Sequence, residues 1–495
     1  MKPLFLLLAA LLAAAQSVEQ RKVDAAVEAS MKAWDAPGVA VVLLRGDTVL
    51  LAKGYGVRNR ETGQPVTADT QFAIGSTTKA FVTAALAMLA DDGKLSFDDP
   101  VRQHLPYFRL SDPSADRLVT LRDLVTHRTG LVRHDLLWYA SPWDRDEIVR
   151  RAGSLPLAYP FRSRWSYQNI MFIAAGQAVG RAAGSSWEEF TRARIFAPLR
   201  MRNSNFSVRA AAAAPDHATP HVRRDSGPQA GKVEAIPWRN LDNAGPAGSI
   251  NSSVNDLANW LRLFLNQGVF EGKRLISAKS FQELVTPQMV MPQGPEAGRF
   301  YVPGTQQISY ALGWAVHDYK GRHMVTHGGA IDGFRAQIAF LPAEKAAVAV
   351  LSNLGDRNLP EALRLTLLDL LLDLPAGGWD KVYLDLEAAQ NKAAETARAA
   401  RERAKPAGTR PSHDLPDFAG EYREAAYGTL RVLHEDGKLI AAWSSFREPL
   451  HHDNFDTFRI RGGRLDGSAL TFRLSDTGAV ESVRFLDMDF TKVSK

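Results

Sequence analysis

Ser76-Thr77-Thr78-Lys79 runs directly into Ala80-Phe81-Val82-Thr83-Ala84-Ala85-Leu86-Ala87-Met88-Leu89, an apolar stretch that commits this part of the chain to a buried helix. Residues three apart on an α-helix are neighbours. A helix beginning near Gly75 therefore brings the Lys79 amine to the Ser76 hydroxyl, inside the core rather than on the surface. Removing a lysine from water lowers its pKa, which lets it accept a proton and leave the serine as an alkoxide-like nucleophile. The helix N-terminus adds positive potential and free N–H groups where negative charge would develop. The bland alternative is an N-cap serine followed by an exposed lysine, and the surrounding sequence has to decide between them.

The chain has 495 residues, 45% of them hydrophobic and 23% charged, which is enough for a large core and more than one domain. Its net charge of +6 is scattered, with no basic stripe interleaved with aromatics, so no nucleic-acid partner is expected. There is no cysteine, which removes both a disulfide framework and a lipid-modified cysteine. A large core needs no disulfide even in an oxidising compartment, so this says nothing in favour of the cytosol. Residues 1–15 combine a positive start at Lys2, a short apolar run and small residues at Ala13 and Ala15, the pattern of a secretory signal peptide. The run is too short for a permanent membrane span. The expectation is export, most simply to a bacterial periplasm, with no membrane anchor after cleavage.

Val23 to Trp34 reads as an amphipathic helix, and Val39 to Leu44 and Val49 to Tyr55 as strands about a turn at Gly46. From Ser76 to about Leu265 the pattern is mainly helical. Strands return at Tyr310 to Val316, His323 to His327, Phe334 to Phe340 and Ala346 to Leu351. Strands at both ends with helices between them predict an α+β fold in which both ends share one antiparallel sheet and a helical lobe is inserted. A helix follows from Glu361 to about Leu374. Asp380 to Lys405 reads as a solvated connecting helix, broken by Pro406 to Pro411. Short alternating strands, such as Leu430 to Leu433, Leu439 to Trp443, Leu470 to Leu474 and Val480 to Phe485, then predict a small antiparallel barrel or sandwich. The expected organisation is a signal peptide over 1–15, the α+β domain over 16–375, a helical linker over 376–413 and a β-domain over 414–495.

Tyr167-Gln168-Asn169 stands 91 residues after Ser76, and His327-Gly328-Gly329 a further 160 on. In this order and at these separations the three motifs resemble the serine β-lactamase and penicillin-recognising superfamily, in the class C β-lactamase-like branch with its DD-peptidases, D-aminopeptidases and esterases. Leu124-Val125-Thr126-His127-Arg128-Thr129-Gly130-Leu131, Ala197 to Met201, Ala247 to Ser253 with Asp256-Leu257, and Tyr310-Ala311-Leu312-Gly313-Trp314 resemble it as well. The resemblance spans roughly Val23 to Leu374. The tail from Leu415 to Tyr422, with Tyr427-Gly428, resembles the small lipocalin-like domain often fused behind such hydrolases.

The resemblance implies that Ser76 is the acylated nucleophile, Lys79 its base or proton relay, and Tyr167 the second base, which needs nearby positive charge to act. It implies that Asn169 contacts the substrate amide or orients Lys79. The N–H groups of Ser76 and Ala330 would form the oxyanion hole, with His327, Gly328 and Gly329 along the substrate. A lysine followed by threonine and glycine is usual at the third motif. Here His327 offers a weaker, pH-dependent charge and Gly328 no hydroxyl, which turns the expectation from β-lactamase toward the peptidases and esterases. The leading expectation is a serine peptidase or amidase acting on small peptides, those with D-residues or from peptidoglycan. Carboxylesterase and β-lactamase are the alternatives within the same chemistry, and a non-catalytic penicillin-binding or sensing module lies outside it.

His127 reads as a satisfied buried histidine. His451 and His452 would point to opposite faces of a strand with no further ligand spaced nearby, so neither a metal nor a cofactor is expected. The Gly-x-Ser-x-Gly elbow of another hydrolase fold is absent. The loops Trp138 to Trp143 and Asp216 to Trp238 would shape the pocket. The partner is a small molecule or short peptide, and the sequence leaves an oligomer open.

Overall fold

The computed structural model describes residues 20–224, 231–293, 300, 302–355 and 358–493. The leader expected over residues 1–15 lies outside them. Two compact units make up the chain, one of Met1–Phe108, Asp112–Arg133 and Leu157–Glu387, the other of Arg109–Ser111, His134–Pro156 and Ala388–Lys495.

In the first unit, α1 (residues 20–34) buries Val23, Val27, Ser30 and Trp34, the spacing of a single helical face. The hairpin β1 (Gly38–Arg45) and β2 (Thr48–Gly56) follows. The inserted lobe contains α2 (Thr78–Asp91), α3 (Asn169–Ala183) and α4 (Val254–Leu265). The chain then returns as β3 (Met289–Val290), β4 (Ile308–Tyr310), β5 (Ala315–Tyr319), β6 (Arg322–Ile331), β7 (Phe334–Leu341) and β8 (Ala346–Ser352). These strands form one antiparallel sheet in the order β2-β1-β8-β7-β6-β5-β4-β3. Val41 pairs with Val350, so the two ends of the domain share the sheet as expected.

Gly38 to Leu44 and every residue of β8 are buried. Strands covered on both faces read as continuous apolar runs, because neither set of alternate side chains meets water. The helix α5 (Leu359–Leu371), together with α1, covers the face made by Val39, Val41, Leu43, Val348 and Val350. α4 packs on β1 and β8 as well. Tyr310 to Val316, expected as one strand, is instead two strands about a turn in which Ala311 N–H donates to Trp314 O. Gly313 takes φ +75° there, and a Cβ would lie 2.9 Å from Thr83 Oγ1. All four turn residues are packed inside, Gly313 among them, so apolar periodicity gave no sign of the break.

Two details of this unit build the site. α2 is buried from Thr78 to Leu89, with Phe81 stacked on Trp260 of α4 at 3.8 Å between ring centroids. Burying one such ring stabilises by about 2–3 kcal/mol. The pairing of β5 with β6 ends at Ala315–Thr326, whereas β6 continues with β7 to Ile331–Phe334. His327 to Ile331 therefore lie beyond the ladder with β5.

The helix α6 (Trp379–Ala404) buries Trp379 and Tyr383 near its start and is solvated over residues 388–404. In the second unit the C-terminal strands are β9 (Gly420–Glu424), β10 (Gly428–Glu435), β11 (Lys438–Trp443), β12 (Phe446–Asn454), β13 (Thr457–Ile460), β14 (Ala469–Leu474), β15 (Val480–Phe485) and β16 (Met488–Lys492). They close into an eight-stranded antiparallel barrel, β9 pairing with both β10 and β16, which decides between barrel and sandwich. Tyr422, Leu430, Phe458, Phe472 and Phe490 are buried in it. The segment His134–Pro156 belongs to this unit through hydrogen bonds between His134 Nδ1 and Tyr427 OH (3.0 Å), from Arg151 Nη1 to Ala426 O (3.1 Å) and from Ser445 Oγ to Ala140 O (2.6 Å).

Candidate active site

The chain enters α2 through a 3₁₀ turn over Gly75–Thr77 rather than through an α-helical start. Gly75 takes φ +52°, and a Cβ on it would lie 2.6 Å from Ala330 N; one on Gly329 would lie 1.8 Å from Ile74 O. Glycine at both positions lets β6 run hard against the turn that carries Ser76. A Cβ on Gly329 would also lie 3.2 Å from Ser76 N, so the backbone around Ser76 and that around Ala330 are in close approach.

Lys79 is fully buried. Its Nζ donates to Ser76 Oγ (3.2 Å), Asn169 Oδ1 (2.7 Å) and Ala247 O (2.7 Å). An ammonium can donate to all three. The same nitrogen lies 4.9 Å from the centroid of the Tyr167 ring. Asn169 is the first residue of α3, and Gln168 caps that helix by accepting from Ile170 N–H (2.9 Å). The three expected catalytic residues and Asn169 thus meet in one cluster.

Tyr167 is held from both sides by one residue. Ser166 N–H donates to His127 O (2.8 Å), Gln168 N–H donates to His127 Nδ1 (3.0 Å), and the His127 ring lies 4.3 Å from that of Tyr167. His127 is fully buried, as expected, and takes φ +59°. Its loop is tied down by Asp123, whose carboxylate receives Arg128 Nε and both Nε and Nη2 of Arg162. Burial pushes the Asp123 carboxyl up, but hydrogen bonds from Arg162, the Thr120 N–H and Arg128 outweigh it and hold the group below the usual carboxylate range.

His327 is fully buried on β6, with Tyr310 OH 3.0 Å from its Nε2 and Gly328 O 2.7 Å from its Nδ1. Nδ1–H donates to the Gly328 carbonyl, while Nε2 meets the Tyr310 hydroxyl, a group that can both donate and accept. Gly328 faces the other way, where a Cβ would lie 2.4 Å from Gln337 Nε2. Gln337 donates to Glu361 Oε1 (2.8 Å), and Arg364 Nη1 donates to Thr326 Oγ1 in the same buried layer. Burial drives Glu361 toward its neutral acid and, with Arg364 adding to it, lowers His317 to about 3.

Sequence reasoning did not single out Ala247 O as an acceptor for Lys79, Tyr310 as the partner of His327, or Arg133, whose guanidinium lies 5.0 Å from the centroid of the Tyr167 ring. Ala247 and Tyr310 stand inside segments that the resemblance had marked, which is the signal that could have found them. Arg133 lies just past such a segment and carried none. A cleft bordered by Trp238, Phe206, Phe334 and Ile331 lies beside Gly248 and Ser249. Of the two loops expected to shape the pocket, Asp216 to Trp238 is described except for residues 225–230.

Residues 404–494 match the model of a domain of unknown function, DUF3471. The unguisins hydrolase ungD of Aspergillus violaceofuscus is 29% identical over 447 residues, covering 83% of this chain and 76% of the relative. Among solved structures, the octameric penicillin-binding protein homologue from Pyrococcus abyssi superimposes with a TM-score of 0.63 at 23% identity, over 95% of this chain and 99% of that one. A D-stereospecific amidohydrolase from Streptomyces sp. gives 0.55 at 22% identity, over 69% and 98%. With residues 23–373 matching the Beta-lactamase model, the chain belongs to the beta-lactamase family.

Proposed function

We propose that this protein is a serine hydrolase that forms an acyl-enzyme on Ser76 and cleaves amide bonds in small peptides, those containing D-residues or derived from peptidoglycan. The observation that carries the reading is the 3.2 Å contact between Lys79 Nζ and Ser76 Oγ in a buried site. Tyr167 takes the Ser76 proton, aided by the Lys79 charge near its ring. Ser76 Oγ attacks the carbonyl carbon, and the oxyanion forms against the N–H groups of Ser76 and Ala330. Collapse breaks the C–N bond, and the amine leaves with the proton held by Tyr167. Water then attacks the ester, giving its proton to Tyr167, and Ser76 Oγ leaves and is reprotonated. Asn169 fixes Lys79, while His327, Gly328 and Gly329 flank the substrate.

The name of one similar protein, a D-stereospecific amidohydrolase, lends weight to amide cleavage, and that of the unguisins hydrolase to hydrolysis. Residues 1–15 would direct the chain out of the cytoplasm, to a periplasm. The test is steady-state turnover of D-alanine p-nitroanilide, its L-enantiomer and p-nitrophenyl butyrate by the mature chain and by Ser76→Ala. The expected result is D-anilide turnover that falls at least about a thousand-fold in the variant. Turnover of the butyrate alone would replace the peptidase reading with an esterase.

A further inference from the structure

A second basic side chain lies beside the Tyr167 ring. Arg133 lies 5.0 Å from the Tyr167 ring centroid and Lys79 Nζ lies 4.9 Å from it. The placement of Arg133 is tied to that of Tyr167 by neighbouring residues, because Gln168 Nε2 donates to Val132 O and Ser166 Oγ donates to Leu131 O (2.8 Å). His327 stands at the position where a lysine is usual, its ring in contact with Tyr310 and Gly328. Among the described residues, the titratable and charged groups recorded around Tyr167 are Lys79 from α2, His127 and Arg133 from the loop before it, Tyr310 from β4 and, beyond Tyr310, His327 from β6.

We propose that Arg133 is a positioning residue for the general base, its guanidinium supplying at the Tyr167 ring a permanent positive charge in a site whose third motif carries histidine in place of the usual lysine. The inference rests on Tyr167 acting as base. A guanidinium remains charged across the working pH range, so the phenolate is favoured at every pH at which the enzyme turns over. Arg133 is exposed, so part of its field is screened by solvent and by salt. At roughly 5–6 Å and near-surface screening, one charge moves a neighbouring proton equilibrium by about half to one pH unit.

The experiment is the pH dependence of kcat/KM for wild type, Arg133→Gln, Arg133→Lys and Tyr167→Phe on the best substrate of the panel above, at low and high salt. It is paired with ultraviolet difference titration of each Arg133 variant against the same variant carrying Tyr167→Phe. Arg133→Gln is expected to move the acid limb, and the tyrosinate titration, upward by about half to one unit. Arg133→Lys should keep most of the wild-type position, and the difference should shrink in high salt. An unmoved acid limb and titration, with only KM changed, would overturn the inference and make Arg133 a substrate contact. If Tyr167→Phe keeps wild-type turnover, the base assignment itself fails, and that outcome is distinguishable from the first. Titration of the Tyr167 difference signal needs no turnover, so a variant with low activity still decides the question.

Discussion

Both units are built on eight antiparallel strands, yet the candidate site gathers on only one of them. The sheet of the first unit is open, and where β6 outruns β5 its residues His327 to Ile331 are released from one ladder and laid against the Ser76 turn. In the second unit the ring closes, β9 meeting β16, so the strands lose the free edges that a sheet otherwise exposes. Backbone N–H groups that are to stabilise an oxyanion must not be consumed by a ladder. An open sheet with strands of unequal length provides such groups, and a closed barrel offers them only in its loops.

Substituting glycine probes this contrast most severely. Gly329→Ala places a methyl group 1.8 Å from Ile74 O, so the strand and the nucleophile turn must separate. We expect kcat to fall at least about a hundred-fold, the scale of losing one oxyanion donor. The counterpart in the barrel is Gly437→Ala, at φ +71° with open space around it. Only the backbone conformation is penalised there, by about 1 kcal/mol, and turnover should be unchanged. Equal losses of activity in the two variants would erase the distinction between the units.

Next in size is Asp123→Asn, which leaves Arg128 and Arg162 facing a neutral side chain at a fully buried position. Because both arginines keep access to solvent, the loss is that of charge-assisted hydrogen bonds, about 1.5–3 kcal/mol, read as a lowered midpoint of denaturant unfolding. The folded carboxyl lies below its unfolded value. Its contribution is therefore complete above the ordinary carboxylate pKa and is lost as pH falls through the depressed folded one. The wild-type advantage over the variant should accordingly vanish on acidification; an advantage constant with pH would assign it to packing. The barrel comparison is Arg431→Ala, which removes an exposed pair with Glu421 and should leave the midpoint unmoved.

The smallest effect is expected for Tyr422→Phe, which removes the hydroxyl that donates to Phe418 O (2.7 Å) inside the barrel. A loss of about 1 kcal/mol with unaltered kcat/KM would keep the barrel core energetically apart from the chemistry. A fall in kcat/KM would show that the two are coupled.

What the chain announced in advance was whatever depended on near neighbours or on strong periodicity. Ser76 and Lys79 are three residues apart, so helical geometry alone brought them together. β1 and β8 were legible because burial on both faces leaves unbroken apolar runs. The barrel strands were legible through alternation, Leu430 and Val432 inside and Arg431 outside, but alternation is the same in a sandwich and could not reveal closure. The 3₁₀ entry to α2 and the turn at Gly313 were hidden because both are set by tertiary approach, to β6 and to Thr83. Arg133 and Tyr167 are distant in sequence and meet through loop packing, which no local pattern encodes. The contact between His327 and Tyr310 follows from the register of β4, β5 and β6.

Gln337 occupies the space that a side chain at position 328 would need, and this bears on how the site can change over evolutionary time. Restoring a lysine and a threonine at positions 327 and 328 is not a two-step path. The threonine requires the Gln337 amide, the far end of a flexible side chain, to swing away, which weakens its hydrogen bond to Glu361, a carboxyl that also receives its own backbone N–H. The third motif is thus coupled to the back of the sheet through one side chain, and a change at the front is felt at Glu361.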